Sequence, residues 1–237
     1  MRRTRAGVAA APMLALFVAT TAAAAPDDAA MGERLRACTA CHGADSIRIE
    51  EGYVPRIRGK PAGYLFNQLV SYRRDQRYDD TMRHMVRYLS DAYLSEIAAY
   101  FASREAPYPA PGRPSANAAT LERGETLVRH GDPSADIPPC EACHGERLAG
   151  VLPATPGLIG LPRHYIMAQL GAWRADKRHA APPDCMSTVA NRLSPRDVQA
   201  VAAWLSSRPL PNNTEPRQRP MAQTPLQCGS FARPEVQ

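Results

Sequence analysis

The sequence predicts an all-α protein made of two tandem copies of one small helical domain, a pseudo-twofold repeat. A proline-rich linker joins the copies and an extended tail follows. Three observations carry this. First, landmarks recur in order. Gly59-Lys-Pro61, Tyr64, Gln68, Leu69, Tyr72, Arg73 and Asp75 return 101 residues later as Gly160-Leu-Pro162, Tyr165, Gln169, Leu170, Trp173, Arg174 and Asp176. Leu89-Ser90 returns 104 residues later as Leu193-Ser194. A nearly constant offset through ordered landmarks means a duplicated unit. Second, apolar residues within each copy follow helical spacing, as in Leu65, Leu69 and Tyr72 or Val198, Val201, Ala202 and Leu205, and no segment alternates convincingly as a strand. Third, prolines gather between the copies and after the second one.

The elements follow in chain order. Residues 1–25 read as an export signal: Arg2, Arg3 and Arg5, then an uncharged, mostly apolar run from Gly7 to Ala19, then small residues to Ala25. Cleavage is expected after Ala22-Ala23-Ala24, and the run is short for a membrane span. The first domain is expected over 26–105. Pro107, Pro109, Pro111 and Pro114 make 106–119 a stiff linker. The second domain covers 120–208. Its last helix has a strong start in Ser194-Pro195-Arg196-Asp197. The tail, 209–237, carries six more prolines and should lie extended on the surface.

Charge excludes one partner class. The chain has 29 Lys+Arg against 23 Asp+Glu, and loss of the signal leaves 26 against 23. No basic cluster is interleaved with aromatics, so no nucleic-acid partner is expected. Scattered arginines read as solvated faces or as partners for carboxylates.

The chemistry lies in Cys38-Thr39-Ala40-Cys41-His42 and Cys140-Glu141-Ala142-Cys143-His144. On a helical turn, residues at i, i+3 and i+4 share a face. Two thiols so placed can add to two haem vinyl groups while the imidazole lies under the iron, the attachment pattern of c-type haem. A redox dithiol would need a βαβ context, and a zinc site would need closer pairs. The motifs, offset by 102 within the repeat, therefore predict two covalent haem c groups, with His42 and His144 as iron ligands.

A low-spin carrier needs a sixth ligand, and a thioether raises the potential. The repeat nominates Met82 and Met186, offset by 104 and each followed by six residues and Leu-Ser. Met85 and His84 compete in the first copy, His164 and His179 more weakly in the second; His130 is expected at the surface. Cys185 and Cys228 remain unassigned, and an exported chain meets an oxidising compartment.

With these pieces the chain resembles the class I dihaem cytochromes c of the cytochrome c4 type, from about Ala29 to Arg208. The resemblance rests on Cys-x-x-Cys-His-Gly in both copies, Pro55-Arg-Ile57-Arg-Gly59 and Pro156-Gly-Leu158-Ile-Gly160. It also rests on the Tyr-x-x-x-Gln-Leu helices, Met-x6-Leu-Ser and the closing helices Ala98–Ser103 and Ala202–Ser207. It implies two cytochrome c folds facing each other, haems close enough to exchange electrons, and carbonyls of Pro55 and Pro156 accepting from Nδ1 of His42 and His144. The segment Ala44–Gly52 departs from the family's glycine-rich look, and the tail is longer than expected. A Cys185–Cys228 bond would tie that tail across the second haem beside its Met loop.

The expected function is single-electron transfer in the periplasm without substrate turnover. The donor would be a quinol-oxidising complex or a dehydrogenase and the acceptor a terminal oxidase; peripheral membrane association stays open. The alternative is a haem-bearing acceptor subunit of a periplasmic (flavo)dehydrogenase. A dihaem peroxidase would need an open iron position, and a candidate Met stands in each copy.

Overall fold

A computed structural model describes residues 28–43, 53–105, 107–114, 116–218 and 224–231. The expected export signal and the segment 44–52 lie outside the described residues.

The first half holds α1 (Asp28–Arg34), α2 (Arg36–His42), α3 (Ala62–Arg73), α4 (Asp80–Val86) and α5 (Asp91–Ala102). Its helix starts are written locally. The Asp79 carboxylate accepts from the Met82 N–H and the Ser90 hydroxyl from the Tyr93 N–H, satisfying donors that a helix leaves open. Leu65 and Phe66 of α3 pack against Leu94, Ile97 and Phe101 of α5, with Met31 and Leu35 closing the core. Each such side chain contributes about 1.5–3 kcal/mol of burial before entropy is charged against it.

The second half repeats the plan with α6 (Ala118–Arg129), α7 (Glu141–His144), α8 (Arg163–Arg174), α9 (Cys185–Arg192) and α10 (Pro195–Ser207). Ser194 and Asp197 form a full capping box on α10. At Gly124, α6 crosses α10 so closely that an added Cβ would stand 2.2 Å from the Ala200 carbonyl oxygen. One feature departs from the strand-free reading. Strands β1 (Gly150–Val151) and β2 (Thr155–Pro156) pair antiparallel. Two residues per strand leave no alternation to detect.

The halves meet along the repeat. Arg77 and Arg178 pair as an isolated antiparallel bridge. The His179 N–H donates to Gln76 O at 2.6 Å and the Gly63 N–H to Pro153 O at 3.0 Å. The linker is bound to the protein rather than free. Tyr108 packs on the second core beneath the Arg56 guanidinium, 3.7 Å from its ring, and the Gly112 N–H donates to Ser206 O at 2.9 Å.

The described part of the tail stays at the surface, exposed or half-buried, but it is held down there. The Arg217 N–H donates to Gly150 O at 2.9 Å, and the Leu152 N–H to Arg217 O at 2.8 Å. Cys228 is bonded to Cys185, with Cα atoms 5.2 Å apart. Leu226, Ser230 and Phe231, each half-buried, line a cavity that is partly open to solvent. Among the described residues, no helix is long and apolar enough to cross a membrane.

Candidate haem sites

In the second half the motif residues converge. Cys140, Cys143, His144 and Met186 line one cavity, partly open to solvent and walled by apolar side chains such as Leu158, Ile166, Leu170 and Val201. His144 is buried, and its Nδ1 lies 2.8 Å from Pro156 O. A carbonyl only accepts, so Nδ1 carries the proton and Nε2 is left to bind metal. Burial holds the imidazole below its ordinary pKa, which keeps it in the neutral, ligating form. Burial also pushes the Cys140 thiol up to about 12 and raises Cys143. A neutral thiol costs little in so apolar a pocket.

The first half shows the same ring support. His42, the last residue of α2, has Nδ1 2.9 Å from Pro55 O, and burial again lowers its pKa. Cys38 packs at the edge of the first core, and Cys41 is exposed. Met82 is half-buried on α4 against the same core, whereas Met85 is 38% exposed and His84 is also exposed. In the second half His164 and His130 are exposed, and His179 Nε2 lies 3.7 Å from Asp176.

Equivalent arginines hold the Met helices. Arg73 donates to Leu89 O at 2.6 Å and pairs with Asp91. Arg174 donates to Ala190 O at 3.1 Å and to Leu193 O. Each guanidinium on the long helix of its half therefore fixes the exit of α4 or α9.

The sequence reading missed the cluster where the halves meet. Arg77 and Arg178, at 8% and 6% exposure, are buried. Arg77 donates to Gln68 at 2.7 Å, Gln169 at 2.9 Å and Tyr165 at 3.1 Å; Arg178 donates to Gln169 at 2.6 Å and Gln68 at 3.0 Å. All these acceptors are neutral. Burial works against the charge on Arg178 and brings Lys60 down to about 8. Burial would raise the Tyr64 phenol, yet Arg178, Arg77 and Lys60 together pull it to about 8. The Trp173 indole N–H is buried without a partner. Lys60, Tyr64, Gln68, Trp173 and Arg178 all line the cavity that holds His144.

Buried cations are costly unless an anion meets them. The pocket thus offers an imidazole and a thioether to a metal, thiols for covalent attachment, an apolar wall for a large ring, and cations with an orphaned N–H for carboxylates. That donor set fits a haem with its propionates. The signal for the cluster was present: Arg77 and Arg178 share the 101-residue offset. Only the fold shows that both turn inward.

Comparison with known proteins agrees. No protein-family model matches the chain. It is 38% identical to a thiosulfate dehydrogenase electron acceptor from Thiomonas intermedia, over 89% of this chain and 93% of that one. It is 31% identical to cytochrome c4 from Pseudomonas aeruginosa, over 81% and 94%. Its fold matches reduced cytochrome c4 from Pseudomonas stutzeri with a TM-score of 0.63 and 29% identity, over 77% of this chain and 99% of that one. It also matches a thiosulfate dehydrogenase (TsdBA) from Marichromatium purpuratum, TM-score 0.62 and 33% identity, over 73% of this chain but only 36% of that longer one. The chain therefore belongs to the cytochrome c4 family of class I dihaem cytochromes c, electron carriers with two covalently attached haem c groups.

Proposed function

We propose that this protein is the periplasmic electron acceptor of a dehydrogenase of the thiosulfate-oxidising kind, passing single electrons on towards the respiratory chain. In this reading His42 and Met82 ligate one iron and His144 and Met186 the other. Cys38, Cys41, Cys140 and Cys143 carry the thioether bonds, and Pro55 and Pro156 orient the imidazoles. The convergence of His144, Met186 and both cysteines on one cavity supports the ligand set most directly. The higher identity to an electron acceptor than to free cytochrome c4 favours the dehydrogenase as donor over a quinol-oxidising complex.

The haem, when bound, supplies a reversible one-electron couple. The chain's own residues do the rest. The Pro55 and Pro156 carbonyls fix ring orientation and make each imidazole a better donor. Met82 and Met186 offer soft ligands that favour the reduced metal. Arg77, Arg178 and Lys60 place fixed positive charge where the halves meet, which offsets propionate charge and favours electron uptake. Apolar walls line the second site and lower the polarity around its metal.

The test is an optical redox titration of the purified holoprotein and of Met82→Leu, Met186→Leu and Met85→Leu. Two haems per chain are expected. The Met–iron charge-transfer absorption should fall by half in each of the first two variants and stay intact in the third. A full signal in Met82→Leu with loss in Met85→Leu would reassign the first ligand. Thiosulfate with a thiosulfate dehydrogenase should reduce the unaltered protein, and failure to do so removes the proposed donor.

A further inference from the structure

The two halves differ where each Met helix meets solvent. In the second half, Leu226 of the tail shares a wall with Val189 in the cavity and with Arg192 in a second, shallower cavity beside Pro138 and Pro139. The tail is held there covalently by Cys185–Cys228, by the Gly229 N–H donating to Pro183 O at 3.0 Å, and by Asn67 of the first half, 3.4 Å from Ser230 O. Between Arg178 and Met186 the second half has three more residues than the first has between Arg77 and Met82, and this extra loop receives Gly229.

The 104-residue offset maps Val189 and Arg192 onto Met85 and Tyr88. In the first half these positions are bare. Met85 is 38% exposed, Tyr88 84% and nearby Tyr78 73%; these are the large exposed hydrophobic side chains among the described residues. All three fall within eleven residues around Met82. Exposed apolar side chains gathered in one short segment mark an interaction surface more often than scattered ones do. Its charges cancel: Arg74, Arg83 and Arg87 stand against Asp75, Asp79 and Asp80, all exposed. Arg83 is paired with Asp75 at 2.8 Å, and Arg87 lies over the Tyr88 ring at 4.5 Å.

We propose that the rim formed by Tyr78, Met85 and Tyr88 is the docking surface for the redox partner, a protein that presents an apolar, weakly charged face around its own electron-transfer group. The proposal rests on the electron-acceptor reading above. The repeat itself argues for the occupant's chemistry: beside the equivalent positions of the second half runs an uncharged segment, Thr224–Phe231, whose Leu226 lines the same cavities as Val189 and Arg192. The balanced charge argues that attraction is apolar rather than ionic. Electrons then enter through the first haem, and the tail covers the second.

The test uses the holoprotein and Tyr78→Ser/Tyr88→Ser, neither position being a proposed haem ligand. The probes are thiosulfate dehydrogenase from Thiomonas intermedia with thiosulfate, and hexaammineruthenium(II) as a small reductant. The variant should keep two haems and its Met–iron absorption. Its second-order reduction rate by the enzyme should fall at least about fivefold, while the rate with the small reductant changes less than about twofold. The enzyme rate of the unaltered protein should vary less than about threefold between low and physiological salt. An unchanged enzyme rate in the variant overturns the docking surface, and a steep salt dependence overturns the partner's chemistry. So do self-association through this rim and tyrosines already shielded from tetranitromethane in the free protein. If the unaltered protein takes electrons from the small reductant but not from the enzyme, the proposed donor falls and the partner assignment with it. If it takes none from either, the electron-acceptor reading itself has failed.

Discussion

Removal of the tail's covalent tie, by Cys228→Ser, has a calculable cost. The bond spans a sequence separation of 43, and no haem-attachment cysteine lies inside that loop to shorten it. Loop-closure entropy for such a span amounts to about 4 kcal/mol at room temperature. Native contacts of the tail survive in the variant, and residual structure in the unfolded chain trims the effect, so a loss of about 2–4 kcal/mol is expected. Guanidinium unfolding of the ferric holoprotein measures it. Both tryptophans, Trp173 and Trp204, lie in the second half, so their fluorescence reports that half alone. The Met–iron absorption reports the ligand beside Cys185. Cys185→Ser/Cys228→Ser should match the single variant, because one bond is lost in both. A difference under about 1 kcal/mol would show that the tail is tied to a part of the chain already ordered without it.

Gly124→Val puts methyl groups into the Ala200 carbonyl, and overpacking of this kind costs about 1–3 kcal/mol, read as a lower melting temperature. Arg178→Gln removes a buried positive charge from the cavity wall, so potentiometry should find the potential of the second haem lowered more than that of the first. Acid should weaken the second half at Asp132, whose carboxyl is held down at about 2 by Ser134 and Arg123. A carboxyl depressed in the folded state binds protons more readily once unfolded, so its support is complete above pH about 4 and fades as pH falls towards 2. Circular dichroism against pH should show this fade, and Arg123→Gln, which also frees Asp197, should move the transition to higher pH.

The repeat made most of the fold legible, because one spacing rule was written twice. Gln68 with Gln169 and Met82 with Met186 could be paired before any coordinates. The histidine supports, Pro55 and Pro156, came only with the family resemblance, because no spacing in the sequence points to them. The hairpin at Gly150–Pro156 was too short to carry a pattern. The inward turn of Arg77 and Arg178 depends on two segments more than a hundred residues apart pairing as a bridge, and no local period records that. The tail read as surface because proline and polar residues dominate it. Its attachment by Cys228, which brings Leu226 and Phe231 to the edge of a cavity, has no local sequence signal.

The buried cluster between the halves bears on why two haem domains stay together. Arg77 reaches Gln169 and Tyr165 of the other half, and Arg178 reaches Gln68 of the first. Each half therefore lends its cation to the other's acceptors. Described side chains supply no carboxylate to these guanidinium groups, and the propionates of bound haem would meet that charge. Haem attachment and docking of the halves then share one free energy: a half without its propionates would leave cations buried in both. A chain built this way gains most when both haems are present, and its potentials are set jointly rather than domain by domain. With the docking surface proposed above, that joint setting would suit a carrier that receives electrons at its first half.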